Sequence, residues 1–283
     1  MRSIQHLGEA LEPRVLALPC TARKLRLSFR PGVSVLASIT EVFAEHGIES
    51  AVVEIPRGAL EPLVYVIPAD SDDGVHAAWY SDTHAPEGRA EIEGITLSFG
   101  RRDGETFLHC HGIWRHADGF RGAGHIMPHD AQFAETVEGE VIALSGAILD
   151  QLEDSETNFR LFTPVPLAGT PAEGRRAVLC RVKPNEEIHS ALERTAAEHG
   201  IEKATIHGIG SLVGCDFVDG QYMASTASEL FIRNGTLETT DGAPVSRLDI
   251  AIVDKHEKIF EGQITCGVNT VCVTCEIVIV ESD

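Results

Sequence analysis

The residues best suited to chemistry are histidines, and five of the thirteen lie between positions 109 and 129. His109 and His111 stand at alternate positions of the segment FLHCHGI, whose pattern predicts a β-strand. Side chains at alternate positions of a strand share one face, about 6.5–7 Å apart, so these two imidazoles can converge on one ion. His125 follows the glycine-rich turn GAG, which lets the chain bring a third imidazole beside the first two.

Three imidazoles form a familiar ligand set for zinc, and iron, nickel and cobalt accept the same donors. Three protein ligands leave one coordination position open, which distinguishes a catalytic or ligand-binding zinc from a closed structural one. An open zinc lowers the pKa of a water to about 7 or polarises a carbonyl oxygen. The alternative is that His109 and His111 are only paired polar residues on an exposed strand, because an HxH sequence alone is a weak signal.

Three further residues are candidates for assisting such a metal. His129 or Glu93 would serve as the general acid or base, and the sequence does not choose between them. Arg57, which follows a predicted strand and precedes Gly58, would pair with a substrate carboxylate through its planar guanidinium. Each of the three also has a plainer interpretation as a solvent-exposed side chain.

The elements that would position these residues occur twice along the chain. The hexapeptide AEHGIE occupies residues 44–49 and again residues 197–202, and a strand-like segment ending in proline precedes each copy. Apolar residues at helical spacing predict one helix in each repeat, with Asn185 as the N-cap of the second. Short β-rich runs follow in both. The sequence therefore indicates an α+β fold built from two repeated domains.

Composition places the boundaries of these domains. We expect a first domain over residues 1–160 that carries the metal site, a linker over 161–175 that is rich in proline and glycine, and a second domain over 176–283. The first repeat is the longer one, mostly because of the polar stretch 69–89. That stretch has the composition of a surface excursion, either a lid or an interface arm.

The second repeat lacks the three histidines. An alignment of the two halves that tolerates a one-residue gap places Leu248 opposite His109 and Ile250 opposite His111. Gln263 stands opposite His125 in the same alignment. The comparison predicts one metal-binding half and one structural half in which the site is degenerate.

Charge and cysteine content bear on partners and compartment. The chain carries 43 acidic and 23 basic residues, a formal net charge of −20, which disfavours nucleic acid because that affinity comes largely from Lys and Arg on phosphates. No apolar run reaches the length of a membrane span and the N-terminus lacks a signal-peptide pattern, so we expect a soluble cytoplasmic protein without a membrane partner. Seven cysteines without a repeated spacing fit reduced thiols, and the CxxC segment at Cys272 and Cys275 fits a buried strand.

The order of these features resembles the plants-and-prokaryotes-conserved (PPC) domain. The resemblance rests on EIEGITL (91–97), the HxH pair and the Gly-His in the first half, and on IGSL (209–212) and ELFIRNG (229–235) in the second. It covers most of residues 23–150 and 176–281. It implies domains with a mainly antiparallel sheet and one principal helix, assembly as trimers, and a metal, often zinc, bound by His109, His111 and His125. The AT-hook of the plant members, a DNA-binding motif, does not occur in this sequence.

Two classes of function follow from this sequence. The favoured one is an enzyme with zinc or another divalent transition metal in an open three-histidine site, acting on a small anionic or carbonyl-bearing metabolite; hydrolase, lyase and isomerase chemistry remain equally open. The alternative is a non-catalytic protein, either a small-ligand sensor or a DNA-associated regulator. We expect a small-molecule ligand as partner, and the resemblance implies a homotrimer, a closed assembly of the kind usual for homo-oligomers.

Overall fold

The chain folds into two halves, each with one helix and a series of strands, and the computed structural model describes residues 2–169 and 171–283 of it. The elements of the first half are, in chain order, β1 (Val15–Phe29), α1 (Val35–His46), β2 (Ala51–Ile55), β3 (Gly58–Leu60), β4 (Tyr65–Val66), β5 (Pro68–Ala69), β6 (Trp79–Tyr80), β7 (Ala90–Arg102), β8 (Glu105–His116), β9 (Arg121–Ile126), β10 (Val137–Ser145), β11 (Ala147–Glu153) and β12 (Arg160–Pro166). Those of the second half are β13 (Arg175–Val182), α2 (Ile188–Glu198), β14 (Lys203–Leu212), β15 (Cys215–Asp216), β16 (Tyr222–Met223), β17 (Ser228–Thr240), β18 (Ala243–Asp254), β19 (Ile259–Gln263) and β20 (Val271–Glu281).

Within the described residues, sixteen strands form one continuous sheet that contains both halves. Its order is β19-β18-β17-β14-β20-β13 in the second half, continued by β1-β10-β2-β7-β8-β9-β4 in the first. The two halves therefore repeat one strand order outward from the junction of β13 with β1, and neighbours along it pair antiparallel. The predicted fold class, two repeated and mainly antiparallel α+β domains with one principal helix each, is confirmed.

Each helix covers one face of its half of the sheet. Helix α1 begins after Ser34, whose side chain accepts a hydrogen bond from a backbone N–H, and ends at Gly47 in the left-handed conformation that glycine favours. The predicted N-cap of α2, Asn185, is wrong: the N-cap is Glu187, whose carboxylate accepts from the backbone N–H of Ser190. At 12 and 11 residues, neither helix in the described part of the chain is long and apolar enough to cross a membrane.

The opposite faces of the two half-sheets pack against each other. Strands β7, β8 and β9 of the first half contact β14, β17 and β18 of the second. Ile113 and Ala123 meet Ile209, Phe231 and Ala251 in a buried apolar cluster between them. The functional face of β8 is therefore covered by the second half of the chain.

The junction of the two halves crosses the predicted domain boundaries. The first part of β1, Val15–Ala22, pairs with β13 of the second half, and its later part, from Thr21 to Phe29, pairs with β10 of the first. Strand β12 occupies most of the first half of the predicted linker 161–175 and pairs with β11. The boundaries at residues 160 and 176 stay predictions.

A buried ion pair fastens the end of the first half to the second. Asp154, just after β11, accepts a hydrogen bond of 2.6 Å from Arg181 of β13, and each side chain is 3% exposed. Burial raises the pKa of Asp154, but the positive charge of Arg181 and its hydrogen bond outweigh that effect and hold the pKa below its ordinary value. The carboxylate is therefore ionised at neutral pH.

Candidate metal centre

The three histidines singled out by the sequence lie on two adjacent strands. His111 of β8 is directly opposite His125 of β9, and His109 is two residues before His111 on the same face of β8. The glycine-rich start of β9 makes this possible, since a Cβ at Gly124 would lie 2.5 Å from the carbonyl oxygen of Val66 on the neighbouring strand. The structure brings these imidazoles together, with one ligand atom from each, and one from Glu229, within 4.8 Å of one another.

Two imidazole nitrogens face each other at the centre of this group. The Nε2 atoms of His109 and His111 are 3.0 Å apart. The Nδ1 atom of His111 donates to the carbonyl oxygen of Leu230 at 2.7 Å, and Nδ1 of His109 donates to Glu276 Oε1 at 2.9 Å. With both Nδ1 atoms used as donors, the two Nε2 lone pairs point at the same place. Two lone pairs at that separation repel unless a cation lies between them, and zinc–nitrogen bonds of about 2.0–2.1 Å put neighbouring ligands at a similar spacing.

His125 completes the group from β9. Its ring centroid lies 5.0 Å from that of His109 and 5.5 Å from that of His111. Burial, together with the charges of the two neighbouring histidines, holds the pKa of His125 well below its ordinary value, so the ring is neutral. Its Nδ1 atom is buried without a hydrogen-bond partner among the described residues. A neutral imidazole with an unused nitrogen is the form that binds a metal.

Two carboxylates reach the group from the second half. Glu229 of β17 places Oε2 2.5 Å from Nε2 of His111, and Glu276 of β20 is 2% exposed. Burial by itself lowers the pKa of His109, but the charge and hydrogen bond of Glu276, with the charge of Glu229, raise it above the ordinary value. A carboxylate on the outer nitrogen of a ligating histidine fixes the orientation of the ring and strengthens it as a ligand.

Sequence reasoning missed both carboxylates, because it assigned the second half a structural role. One signal was available for Glu276, which is the single charged residue in the apolar run VCVTCEIVIV. A carboxylate in a strand of that kind is buried, and buried charges are paired or bind metals. The thiols of Cys272 and Cys275 lie outside this group of ligand atoms, and burial raises the pKa of each to about 12.

The other three candidate residues do not join the group. Glu93 lies in a bulge of β7 and pairs with Arg121 and Arg115. Burial raises the pKa of Glu93, but the hydrogen bonds and charges of the two arginines have the larger effect, so the pKa is below its ordinary value. His129 is exposed and contacts Phe107 at 6.0 Å between ring centroids. Arg57 is exposed in a separate surface groove, which contains none of the three histidines.

The polar stretch 69–89 covers the histidines. Its strand β6 pairs with β5 and carries Trp79 and Tyr80, and the Tyr80 ring lies 5.3 Å from that of His125. Burial and the charges of Glu229 and Glu276 raise the pKa of Tyr80 well above its ordinary value, so its phenol keeps its proton. Lys255 holds the start of the stretch to the second half through an ion pair of 2.6 Å with Asp70.

Comparison with known families accounts for the second half. Residues 169–283 match the sequence model of the Plants and Prokaryotes Conserved (PCC) domain, the family also called PPC. The second half of the chain is a PCC domain. The first half, which contains the histidines, repeats the strand order of this domain. No curated protein matches the sequence.

Solved structures similar to this chain each correspond to about half of it. A metal-containing protein from Archaeoglobus fulgidus is 19% identical, with 57% of this chain and 99% of that chain covered and a TM-score of 0.41. A plant- and prokaryote-conserved protein from Pyrococcus horikoshii is 18% identical, with 52% and 96% covered and a TM-score of 0.42. A protein from Bacteroides thetaiotaomicron, described as a candidate DNA-binding protein, is 14% identical, with 50% and 96% covered and a TM-score of 0.38.

The last description corrects one expectation. The prediction that disfavoured nucleic acid as a partner is wrong, because a protein similar to this chain is described as a candidate DNA-binding protein. The prediction rested on net charge, which averages over the whole surface, whereas binding to phosphates depends on a local group of basic residues. The small-molecule and homotrimer parts of the same prediction have no support among these proteins.

The second half of the chain has its own version of the histidine hairpin. Strands β17 and β18 have the same lengths as β7 and β8, 13 and 12 residues, and the same two-residue turn, Asp241-Gly242 in place of Asp103-Gly104. Counting from this turn, the equivalents of the three histidines are Arg247, Asp249 and Gln263, and the last two pair as His111 and His125 do.

The predicted equivalents of the first two histidines are therefore wrong by one residue. Leu248 and Ile250 point to the opposite face of β18 and are buried in the core under α2. A shift of one residue along a strand exchanges its two faces, which is why the alignment gave apolar residues in place of polar ones. Gln263 was placed correctly, and none of the three histidines has a histidine equivalent.

Proposed function

We propose that this protein binds one divalent transition metal, zinc or a metal with similar preferences, through His109, His111 and His125. The observation that carries the proposal is the pair of Nε2 atoms 3.0 Å apart, whose outer nitrogens are already committed as donors. A site of this kind is prearranged for a cation. The unpartnered Nδ1 of His125 and the nearby carboxylate of Glu229 supply further donors.

We further propose that the site is catalytic and acts on a small carbonyl-bearing or anionic molecule. When bound, a divalent metal would supply Lewis-acid chemistry there, by polarising a carbonyl or acidifying a water. Glu276 holds the His109 ring in position, and Glu229 is placed to accept a proton beside His111. Tyr80 keeps its proton and is placed to donate a hydrogen bond from the covering stretch, and that stretch excludes water from the histidines.

Whether Glu229 binds the metal determines whether a coordination position stays open for a substrate. If its carboxylate is a ligand, a tetrahedral zinc has four protein donors and no exchangeable position. A metal that accepts five or six ligands, such as iron, cobalt or nickel, keeps a free position with the same four donors. The proposal requires that free position, so the metal found in the protein and its coordination number test it directly.

The first experiment is elemental analysis of the purified chain. We expect about one metal per chain in the wild type and none in His109→Ala/His111→Ala. Arg247→Ala/Asp249→Ala, the matched variant in the second half, should keep the metal. Metal retained in the histidine variant, or lost equally from both variants, would refute the assignment.

The second experiment measures the coordination of Co²⁺ bound to the chain. The visible absorption of Co²⁺ is strong in four-coordinate sites and weak in six-coordinate ones. A spectrum that shifts when azide is added would support an exchangeable position. A four-coordinate spectrum that is unchanged by azide in the wild type, but responds to it in Glu229→Gln, would show that Glu229 closes the site and would exclude the catalytic proposal.

The second candidate function is non-catalytic, either a metal-dependent sensor of a small ligand or a DNA-associated regulator. The observation in favour of the DNA role is the description of the protein from Bacteroides thetaiotaomicron. Retardation of duplex DNA in a gel that disappears steeply as salt rises would support it, since phosphate contacts release counterions. No retardation at low salt would contradict it.

We also propose that the protein is cytoplasmic. All seven cysteines are free thiols, and six of them are buried. Unpaired thiols are typical of proteins kept in a reducing compartment.

A further inference from the structure

A cavity of about 220 Å³ adjoins the proposed metal site. His109, His125 and Glu276 form its inner end. Its walls are mostly aromatic rings, which come from the covering stretch and from the ends of strands β8, β11 and β12: Trp79, Tyr80, Phe107, Phe159 and Phe162.

The aromatic rings are arranged by contacts among themselves. Trp79 and Phe159 are stacked, with centroids 5.1 Å apart and an interplanar angle of 28°. Phe107 and Phe162 meet edge to face at 5.8 Å. Trp79 is 42% exposed, so its ring stays at the wall by stacking and not by burial in a core. Flat rings held in this way favour a flat, apolar guest, since aromatic pairs gain energy beyond the area they bury.

Unpartnered polar atoms concentrate in this cavity. Nine buried side-chain nitrogen or oxygen atoms of the described residues have no hydrogen-bond partner, and four of them belong to residues that line it. These four are His125 Nδ1, Gln151 Oε1, Arg160 Nε and Glu276 Oε2. Buried polar groups in native proteins are nearly always paired, so four in one place indicate bound partners: the proposed metal for His125 Nδ1, and a further ligand for the other three atoms.

These three atoms specify the polar groups of that ligand. Gln151 Oε1 and Glu276 Oε2 accept hydrogen bonds, and Arg160 Nε, which has only a long contact of 3.4 Å with the exposed Glu153 carboxylate, donates one. The other end of the Arg160 guanidinium is bound by both carboxylate oxygens of Asp103, at 3.0 and 2.7 Å, so its charge is already balanced. The ligand therefore needs hydroxyl or amino donors and one acceptor, and it needs no large negative charge.

The volume sets the size of the ligand. An apolar protein cavity of about 150 Å³ holds a benzene molecule. The present cavity of about 220 Å³ has room for one such ring with small substituents, but not for two fused rings.

We propose that this cavity binds a single-ring aromatic metabolite that carries a hydroxyl group and one hydrogen-bond acceptor. The proposal deepens the metal-dependent function, because a substituent of the bound ring would face His109 and His125. The binding of the ring itself comes from the aromatic walls and from the atoms of Gln151, Arg160 and Glu276, so it does not require the metal.

The test uses two neutral probes that differ in the saturation of the ring, 4-hydroxybenzamide and 4-hydroxycyclohexanecarboxamide, titrated calorimetrically into metal-free and metal-loaded protein. We expect saturable binding of the aromatic probe to both forms, and binding of the saturated probe weaker by about tenfold or more. Equal affinity for the two probes, or no binding of the aromatic probe to either form, would overturn the proposal.

Variants locate the binding in the cavity. Trp79→Ala removes an exposed wall residue without opening a core and should weaken the aromatic probe by about tenfold. Phe120→Ala, an exposed aromatic residue outside the cavity, should leave the affinity unchanged. An unchanged affinity in Trp79→Ala would contradict the proposed site. Binding to a chain that elemental analysis finds free of metal would support the cavity while refuting the metal assignment, so the two proposals fail separately.

Discussion

The two halves of this protein share a hairpin but not its chemistry. Strands β7 and β8 match β17 and β18 in length and in their Asp-Gly turn, and their third strands pair in the same register. On this common backbone, one half carries three histidines, and the other carries Arg247, Asp249 and Gln263. The comparison teaches that the backbone supplies three convergent positions, and that side chains decide what those positions do.

The surroundings of the two hairpins differ as much as their residues. The histidine hairpin is covered by β17 and β20, which bring Glu229, Glu276 and a backbone carbonyl to the imidazoles. Asp249 instead pairs with Arg233 of its own half at 2.7 Å. The two hairpins therefore receive different groups from their surroundings, and the described residues of one chain contain one complete histidine site.

The strongest test of this comparison is to give the second hairpin the same three side chains. In Arg247→His/Asp249→His/Gln263→His we expect the new site to bind zinc about 10²–10⁴-fold more weakly than the first, because it lacks the two groups that orient the imidazoles. Competition with a chromogenic zinc chelator measures both sites at once. Two equivalents of equal affinity would show that the carboxylates from the facing half are dispensable.

The attachment of the halves is the next target. Asp154→Asn leaves the buried Arg181 without its charged partner and should lower the free energy of unfolding in denaturant by about 3–5 kcal/mol. Because Arg181 depresses the pKa of Asp154, the wild type should lose the same stabilisation as the pH falls below the ordinary range for carboxyl groups, and keep it at neutral pH. Glu93→Gln disturbs a more exposed ion network and should cost no more than about 1 kcal/mol. Equal losses in the two variants would contradict this account of the junction.

A smaller loss of metal affinity is expected when the carboxylate that orients His109 loses its charge. Glu276→Gln should weaken metal binding by about 10–100-fold, because the amide holds the His109 ring without the negative charge. Its counterpart in the first half is Glu138 of β10. The cross-strand pair Val278–His207 in the second half corresponds to Glu140–Glu54 in the first, and Glu276 and Glu138 each lie two residues before the first member of their pair. Glu138→Gln should leave the metal affinity unchanged in the same chelator competition. A similar loss in both variants would point to overall charge and not to ring orientation.

Local patterns in the sequence predicted the helices and the three histidines. The spacing of His109 and His111 and the turn before His125 are local features, so strand geometry alone brings the rings to one face. Glu229 and Glu276 lie more than a hundred residues further along the chain. Their arrival depends on how the halves pack, which no periodicity reveals. The alignment that placed Leu248 and Ile250 opposite the histidines was shifted by one residue. Aligning the two halves on their Asp-Gly turns would have given the correct register.

Strand β1 limits how far the halves can be treated as modules. Residues 15–22 pair with β13, so on the ribosome they have no partner until about 160 residues more have been added. A fragment confined to residues 169–283, the range of the family match, would present the bare edge of β13 to other chains, and such edges promote aggregation. Expression of the second half by itself therefore calls for a graft of this N-terminal strand, and the two halves are better regarded as one folding unit.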